Sequence, residues 1–408
     1  MASLWCGGFF IDVASLFTKI CKKMNPSNHG IRQSSSLSYI SGLDGVRAIA
    51  VLAVVLHHYS SPFSKVLLNQ GSVWSIYSAI ANLGWVGVDI FFVISGYLIT
   101  KMLINRPIKH LSDYKTFVIK RAWRLLPAYV FCLLVFTTIA VLFVPTSKVL
   151  NNSLHLWTMT SNIQSAFIHR TALMDGYFNL VHFWSLALEW HFYLLLPMLI
   201  YCLKSVRLIA VLLIALAIYS RYVLQQIGAS DNAIYAFTLC RFDALGMGCL
   251  LATAPGLHRL KPAQNFCIST AGVLIFCGVM LAITLSPVPY KKLPWVQLYG
   301  YSLIAVSIGM MLVTVVAAQP ESTLIRWLEK PLMLNLGRAS YSLYIWHLVF
   351  FPAIANAAIT SLGNPFYAFL LAFLVAGIVS GILTLISFHL IESKFYLANR
   401  CQPQTRTG

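Results

Sequence analysis

The sequence contains little charge, since only 10% of its 408 residues are Asp, Glu, Lys or Arg. Soluble globular domains carry about 25% charged residues. Hydrophobic residues make up 59% of the chain, and apolar runs long enough to cross a bilayer recur along nearly its whole length. The composition therefore excludes a soluble protein. It predicts an all-α fold, a polytopic transmembrane helical bundle of about ten spans.

Several features that would indicate other classes are missing from the sequence. The nine cysteines form no Cys-x-x-Cys pair and lie mostly in apolar runs, so neither a disulfide framework nor a metal site is predicted. No internal repeat is evident, and no loop is long enough to hold a separate soluble domain. The net charge is +18, but the basic residues lie in short loops between apolar runs. That distribution encodes membrane orientation, so no nucleic-acid partner is expected.

The apolar runs set the predicted spans and the orientation of the chain. The ten predicted spans are approximately 43–60, 83–104, 122–145, 180–203, 206–224, 235–254, 268–286, 297–318, 335–356 and 366–390. Lys and Arg are concentrated in alternate loops, beginning with the N-terminal segment. Both termini are therefore predicted to be cytoplasmic.

The spans divide the chain into three predicted regions. Residues 1–40 form a cytoplasmic N-terminal extension, which does not resemble a signal peptide because Asp12 interrupts its apolar part and its lysines follow that part. The extension is expected either to lie along the membrane surface or to be an artefact of an upstream start, with translation beginning at Met24. Residues 41–395 form the integral membrane domain, and residues 396–408 form a cytoplasmic tail.

The first predicted span, LDGVRAIAVLAVVLHHYS, carries ionisable residues at both ends. Arg47 and His58 are separated by close to three helical turns, so they share one face at a spacing of about 16 Å, whereas His57 points about 80° away. Ionisable residues within membrane helices usually mark a site or a pathway. An arginine near a helix end can also snorkel, and a histidine can simply bond a backbone carbonyl. Both interpretations remain open from the residues alone.

Acidic residues also lie within predicted spans. Asp89 in GWVGVDIFFVISGYLIT is expected to pair with Arg47 or His58, either structurally or in catalysis. Glu189 in HFWSLALEWHFYLLLP also needs a polar partner. Together these groups predict a polar cavity inside the bundle.

Two later spans contain further ionisable residues. Arg241 and Asp243 in CRFDALGMG are expected to pair with each other. Arg338 and His347 are nine residues apart, which places them on opposite faces of one continuous helix.

A basic pair lies at the predicted cytoplasmic end of the third span. Arg121 and Arg124 in KRAWRLLPAY share a helix face, and two guanidinium groups suit phosphate, although positive-inside bias alone explains many such arginines. Two function classes fit: an enzyme that uses a phosphate-bearing cytoplasmic donor, and a proton-coupled membrane transporter. The transporter is less favoured because no paired short, Gly/Pro-broken spans occur in corresponding halves.

Six motifs resemble membrane-bound acyltransferase family 3 in order and spacing, from about Ser41 to Phe395. They are LDGVRAIAVLAVVLHH, GWVGVDIFFVISGYLI, RAWRLLPAY, HFWSLALEWHFYLLLP, CRFDALGMG and LGRASYSLYIWH. The family includes O-acetyltransferases of bacterial surface polysaccharides, nodulation factors and some macrolides. The resemblance is specific for the family and does not identify a substrate.

The resemblance implies an O-acetyltransferase of the bacterial inner membrane. Acetyl-CoA or another acyl-CoA would be the cytoplasmic co-substrate, with no cofactor bound permanently. The expected acceptor is a hydroxyl of a surface glycan or lipid-linked glycan, such as lipopolysaccharide O-antigen or exopolysaccharide. A small acceptor such as a macrolide or nodulation factor is the alternative. Membrane lipid and polysaccharide-assembly proteins are the other expected partners.

The resemblance also suggests roles for individual residues. His58 would act as general base or transient acyl carrier, and Arg47 would support the same polar stripe or neutralise the thioester oxygen. Asp89 or Glu189 would orient His58 and stabilise its imidazolium. A further pair would hold the phosphates of CoA: Arg121 and Arg124. No residue is assigned to a metal.

The sequence departs from the family at its C-terminal end. The family's Glu-Arg/Lys-Pro appears as Glu392-Ser393-Lys394, without the proline, so Glu392 receives no role and is expected to pair with Lys394 at the surface. Some members carry a C-terminal extracytoplasmic esterase-like domain. This chain is expected to act without one, alone or with a separate partner.

Overall fold

The computed structural model describes residues 39–168, 173–174 and 176–393. The predicted cytoplasmic tail and nearly all of the predicted N-terminal extension lie outside the described residues. Most of the described residues are helical, as expected for a chain in lipid, where each backbone N–H and C=O must find a partner within the protein.

Eighteen α-helices are formed by the described residues. They are α1 (Leu43–Ser60), α2 (Ser64–Leu68), α3 (Ser72–Asn82), α4 (Gly87–Asn105), α5 (Leu111–Phe143), α6 (Thr146–Trp157), α7 (Ser161–Ile163), α8 (Phe183–Leu203), α9 (Val206–Gln226), α10 (Asp231–Ala236), α11 (Phe242–Thr253), α12 (Pro262–Thr284), α13 (Tyr301–Ala317), α14 (Thr323–Leu328), α15 (Pro331–Arg338), α16 (Ser340–Trp346), α17 (Phe351–Leu362) and α18 (Pro365–Ser387).

Short turns and one small hairpin connect these helices. The 3₁₀ turns are Ser61–Phe63, Gly84–Val86, Thr238–Arg241, Leu257–Arg259 and Tyr290–Lys292. The π turns are Gln164–Ile168, Val296–Gly300 and Phe388–Glu392. Strands β1 (Leu173–Met174) and β2 (Phe178–Asn179) pair antiparallel.

The predicted polytopic helical bundle is confirmed, and the protein is a multi-pass membrane protein. Among the described residues, eight helical segments are long and apolar enough to cross a membrane, and a bent pair of helices makes a ninth. The eight segments are Leu43–Leu68, Ser72–Asn105, Leu111–Phe143, Phe183–Leu203, Val206–Gln226, Pro262–Thr284, Val296–Ala317 and Pro365–Glu392. Nine of the ten predicted spans correspond to these segments of the described residues, with the bent pair counted as one.

The difference in number lies in the predicted span 235–254. This stretch is not one helix: α10 ends at Ala236, Phe237 is extended, and a 3₁₀ turn precedes α11. With twelve residues, α11 is shorter than the roughly 20 residues that a span requires.

The predicted span 335–356 is also interrupted. Helices α16 and α17 meet at an angle of 54°, and Pro352 lies in the first turn of α17. Proline cannot donate a backbone hydrogen bond and is tolerated at the start of a helix, so it marks this break. His347 lies at the end of α16, inside the bundle rather than on a continuous helix.

Glycine allows a close helix contact between α4 and α11. A Cβ atom added at Gly96 would collide with the carbonyl oxygen of Leu245, and one added at Gly248 would collide with that of Val93. Small residues at crossings bring membrane helices together because they let two backbones approach closely.

We expect Gly248→Ala to lower the free energy of unfolding by about 1–3 kcal/mol, since the added methyl group overpacks this crossing. Gly377→Ala in α18 is the matched control, because a Cβ atom there meets no neighbour within 4 Å. Thermal unfolding in detergent compares the two variants. Equal melting temperatures would contradict the role given to the crossing.

Candidate active site

His58 and His347 form the centre of the site. The Nδ1 atom of His58 lies 2.8 Å from Nε2 of His347, and Nδ1 of His347 lies 2.7 Å from the carbonyl oxygen of Tyr344. A carbonyl oxygen only accepts, so His347 Nδ1 carries the proton and its Nε2 accepts. His58 Nδ1 must then donate. In neutral His58 the Nε2 atom is left with a free lone pair, as a general base or a nucleophile requires.

A third histidine completes the cluster. Its ring centroid lies 4.8 Å from that of His347 and 6.3 Å from that of His58. This residue, His182, donates from Nε2 to the carbonyl oxygen of Ile345 at 3.1 Å, which leaves an acceptor at its Nδ1. Within the described residues, no group of three or more His, Cys, Asp or Glu side chains is arranged to hold a metal ion.

His58 and His182, together with His57, line a cavity of about 540 Å³, open mouth included. Its other walls are mainly aromatic, and one lysine contributes to them. The lining residues are His57, His58, Trp85, Val88, Ser165, Val181, His182, Trp184, Asn232, Tyr235, Ala236, Tyr290, Lys291 and Tyr344. The predicted internal polar cavity thus contains His58.

Two buried ion pairs lie behind the aromatic wall. Asp89 pairs with Arg241 rather than with Arg47 or His58, and the guanidinium of Arg241 lies 4.5 Å from the ring centroid of Tyr301. The expected partner of Asp89 was therefore wrong. All of these side chains are buried, so the pair supports the wall from within the protein.

The expected Arg241–Asp243 pair is also wrong. Asp243 accepts a hydrogen bond from Arg221 at 2.6 Å and another from Ser302 at 2.7 Å. Arg221 also donates to the carbonyl oxygen of Cys240 at 2.6 Å. The exchange of partners follows from the 3₁₀ turn before α11, which the sequence interpretation treated as part of one straight helix.

Glu189 has partners other than His58. Its carboxylate accepts hydrogen bonds from Ser95 on α4 and from Tyr193, one turn further along α8. The side chain that contacts the His58 ring is therefore His347, and not Asp89 or Glu189 as expected. Catalytic roles for Asp89 and Glu189 stay predictions.

A second polar group lies around the other end of α1. Arg47 is 15% exposed and donates to Asp44 at 3.3 Å, while Arg338 approaches the same carboxylate to 3.9 Å. Asp44 thus pairs with arginine rather than capping the helix, whose N-cap is Gly42. Arg47 and His58 do lie on one helix, α1, whose bounds match the predicted span.

Arg121 and Arg124 lie three residues apart on α5, as predicted. Arg124 is exposed, whereas Arg121 is partly buried and donates to the sulfur of Met102 at 2.9 Å. Arg121 also lies near Glu189 and Tyr193, within electrostatic range. The structure thus brings the Arg-x-x-Arg pair close to Glu189, while His58 belongs to the separate histidine cluster.

Polar residues along α8 connect the two groups. His182, Ser185, Glu189 and Tyr193 follow one another at intervals of three or four residues, so they lie on one face of the helix. Ser185 is 2.6 Å from the hydroxyl of Tyr344, whose carbonyl oxygen accepts from His347. From His182 to Tyr193 this stripe covers about 16 Å, the same rise as from Arg47 to His58 on α1.

The sequence interpretation missed His347, His182 and Lys291 as site residues. Pro352 was the available signal for His347, because it indicates a break in the predicted span. No local signal placed Lys291 in the cavity, since it belongs to a short turn far away in sequence. Glu392 accepts a hydrogen bond from Ser342 at 2.6 Å, and its expected partner Lys394 lies outside the described residues.

Comparison with known families shows to which family the chain belongs. A family profile described as an acyltransferase domain matches residues 40–386, which is most of the chain. The chain belongs to this acyltransferase family. The expectation from the six motifs is confirmed at that level, and the histidine cavity is the candidate active site of a membrane acyltransferase family member.

Curated relatives carry related names. O-acetyltransferase OatA of Staphylococcus aureus is 28% identical over 326 residues, covering 76% of this chain and 50% of OatA. YrhL of Bacillus subtilis, provisionally named a peptidoglycan O-acetyltransferase, is 30% identical over 375 residues, covering 87% of this chain and 54% of YrhL. The chain thus spans about half the length of these relatives. No solved structure gives a significant match.

Proposed function

We propose that this protein is an O-acetyltransferase that moves an acetyl or other acyl group from cytoplasmic acyl-CoA to a hydroxyl of a bacterial surface glycan. The observation that carries the proposal is the hydrogen-bond order at His58, which leaves its Nε2 atom as a base that faces the cavity. Family membership and the names of the relatives support the reaction type.

In the proposed reaction, His58 Nε2 takes the proton of the acceptor hydroxyl as its oxygen attacks the thioester carbonyl. The C–S bond then breaks, and CoA leaves as the thiol once it takes up that proton. His347 accepts from His58 Nδ1–H throughout, a bond that strengthens as His58 becomes an imidazolium. Attack by His58 itself on the thioester, with a transient acyl-histidine, uses the same lone pair. Arg47 lies about 16 Å from His58 along α1, so its proposed role is to support the polar stripe rather than to counter the charge on the thioester oxygen.

The donor is assigned to the Arg121 and Arg124 end of the bundle. Two guanidinium groups three residues apart on one helix can hold the phosphates of CoA, and Arg124 is exposed to receive them. The polar face of α8 would then guide the thioester from this end toward His58. If the N-terminus lies in the cytoplasm of a bacterial inner-membrane protein, as the distribution of Lys and Arg predicts, the acyl-CoA would bind on the inside and the histidine cavity would lie toward the outer face.

The proposed acceptor is a glycan hydroxyl that would reach His58 in the cavity. Lipopolysaccharide O-antigen and exopolysaccharide are the proposed glycans, and the name of YrhL favours peptidoglycan as a second candidate. A macrolide or nodulation factor is the alternative among small acceptors. Polysaccharide-assembly proteins would present a lipid-linked glycan at the membrane.

We expect Arg121→Ala and Arg124→Ala to raise KM for acetyl-CoA about tenfold or more, since charge-assisted hydrogen bonds are lost. The assay measures release of free CoA by the purified protein in detergent. S-acetylpantetheine, which lacks the phosphates, should be used equally well by the natural protein and by both variants. Lys120→Ala is the matched control, because Lys120 is exposed on the same helix.

Equal losses with acetyl-CoA and S-acetylpantetheine would contradict a phosphate-binding role for the two arginines. If the protein neither binds nor cleaves acyl-CoA and instead carries protons across liposome membranes, it is a transporter rather than an enzyme.

A further inference from the structure

The turn between α12 and α13 contributes a lysine to the cavity that the proposed reaction does not use. The Nζ atom of Lys291 lies 4.2 Å from the ring centroid of Tyr235, a cavity residue. Among the described residues, Lys291 has no carboxylate within 4 Å to pair with. Asp231 is near enough to act on it electrostatically, but Asp231 accepts a hydrogen bond from Gln297 at 2.8 Å.

The charge of Lys291 is not balanced by the rest of the cavity wall. None of the described residues that line the cavity is acidic. The other cation at Tyr235 is Arg241, 5.2 Å from the same ring, and Arg241 is already paired with Asp89. Lys291 is therefore the side chain in this wall that is free to meet an anion.

The remaining wall suits a sugar ring. Trp85 stacks on Tyr290 at 4.2 Å, and Trp184 packs against Tyr235 at 5.0 Å, so four aromatic rings form one continuous surface. Aromatic residues of this kind combine apolar faces with polar edges. The Nε1 donor of buried Trp85 and the Nδ1 acceptor of His182 have no hydrogen-bond partner among the described residues. Such groups match the C–H faces and hydroxyl edges of a pyranose.

We propose that the cavity selects an anionic glycan, in which the accepting sugar or its neighbour carries a carboxylate or phosphate that pairs with Lys291. This inference rests on the proposed function, because it names the class of acceptor for the same site. Lys291 would be a specificity-determining residue, while His58 performs the chemistry.

The charge of Lys291 also sets a pH range for this selectivity. Burial, with a further contribution from Arg241, lowers the pKa of Lys291 to about 8. The ammonium group is therefore present at neutral pH and is lost as the pH rises through about 8, so preference for an anion should weaken there. The titratable and charged groups around Lys291 are His57, His58, Asp231, Tyr235, Arg241 and Tyr290.

The test compares sugars that differ in one anionic group. The pairs are the methyl glycoside of glucuronic acid with that of glucose, and N-acetylmuramic acid with its methyl ester. Binding to the full chain in detergent is followed by tryptophan fluorescence, because Trp85 and Trp184 line the cavity. We expect each acid to bind about tenfold more tightly than its neutral partner at pH 7, the size of one charge-assisted contact.

Three variants test whether Lys291 causes the preference for the acidic sugar. Lys291→Met should remove this preference, whereas Lys291→Arg should retain the preference and extend it above pH 8. Lys292→Met is the matched control, because Lys292 is the neighbouring exposed lysine and does not line the cavity. Equal binding of acid and neutral sugar by the natural protein, or a preference that survives in Lys291→Met, would overturn the inference.

Release of CoA from acetyl-CoA, measured on the same samples, separates this inference from the proposed function. A raised KM for acetyl-CoA in Lys291→Met would place the lysine at the donor and overturn the inference. Failure of acyl transfer with an intact preference for acids would refute the acyltransferase reaction while supporting the binding role of Lys291.

Discussion

Replacement of His58 by alanine is expected to lower acyl transfer by about 10²–10⁴-fold, the contribution typical of a general base. The reason is local: His58 Nε2 is the lone pair left free by the hydrogen bonds through His347 to Tyr344. The measurement is CoA release from acetyl-CoA by purified protein, with CoA binding measured separately. Binding should be retained, because Arg121 and Arg124 lie outside the histidine cavity.

His57→Ala is the matched comparison for this variant. His57 precedes His58 and lines the same cavity, but its ring is not bonded to His347, so its loss should reduce turnover far less. Turnover in His58→Ala close to that of the natural protein would remove His58 from the chemistry. Rapid quenching with labelled acetyl-CoA would separate its two roles, because an acyl carrier holds label on the protein and a general base does not.

Asp89→Leu is expected to destabilise the protein by about 3–5 kcal/mol, since it leaves the buried guanidinium of Arg241 without its counter-charge. The melting temperature in detergent and the yield of monodisperse protein measure this effect. The double variant Asp89→Leu/Arg241→Met should recover part of the loss, because no unpaired charge remains. Arg338→Met is the control: Arg338 is 30% exposed and 3.9 Å from its carboxylate, so its loss should cost at most about 1 kcal/mol.

This series also separates the two interpretations of Asp89. A structural ion pair predicts that stability and activity fall together and recover together in the double variant. Unchanged melting of Asp89→Leu with abolished acyl transfer would instead assign Asp89 to the reaction.

The sequence predicted the helical bundle and the first span well, because a membrane helix is specified by local composition. Helix α1 has the predicted bounds, so the three-turn spacing of Arg47 and His58 holds in the structure. The family motifs then identified the acyltransferase family. These predictions depend on residues close together in the chain.

The partners of the buried charges could not be predicted in the same way. Arg241 meets Asp89 from a position 152 residues away, and His58 meets His347 from 289 residues away. Both contacts depend on interruptions in helices that the hydropathy pattern reads as continuous. A 3₁₀ turn reorients Arg241, and the bend after α16 brings His347 to the cluster. The angular positions calculated for one continuous helix therefore predicted the wrong neighbours.

Some residues of the cavity wall lie on long membrane helices and others lie in short connecting segments. His58 belongs to a long membrane helix, whereas Ser165, Asn232, Tyr290 and Lys291 belong to short turns or a six-residue helix. Turns tolerate substitution and insertion better than packed helices do. New acceptor ranges can therefore arise by changes in these connections, while the helices that hold the base keep their sequence.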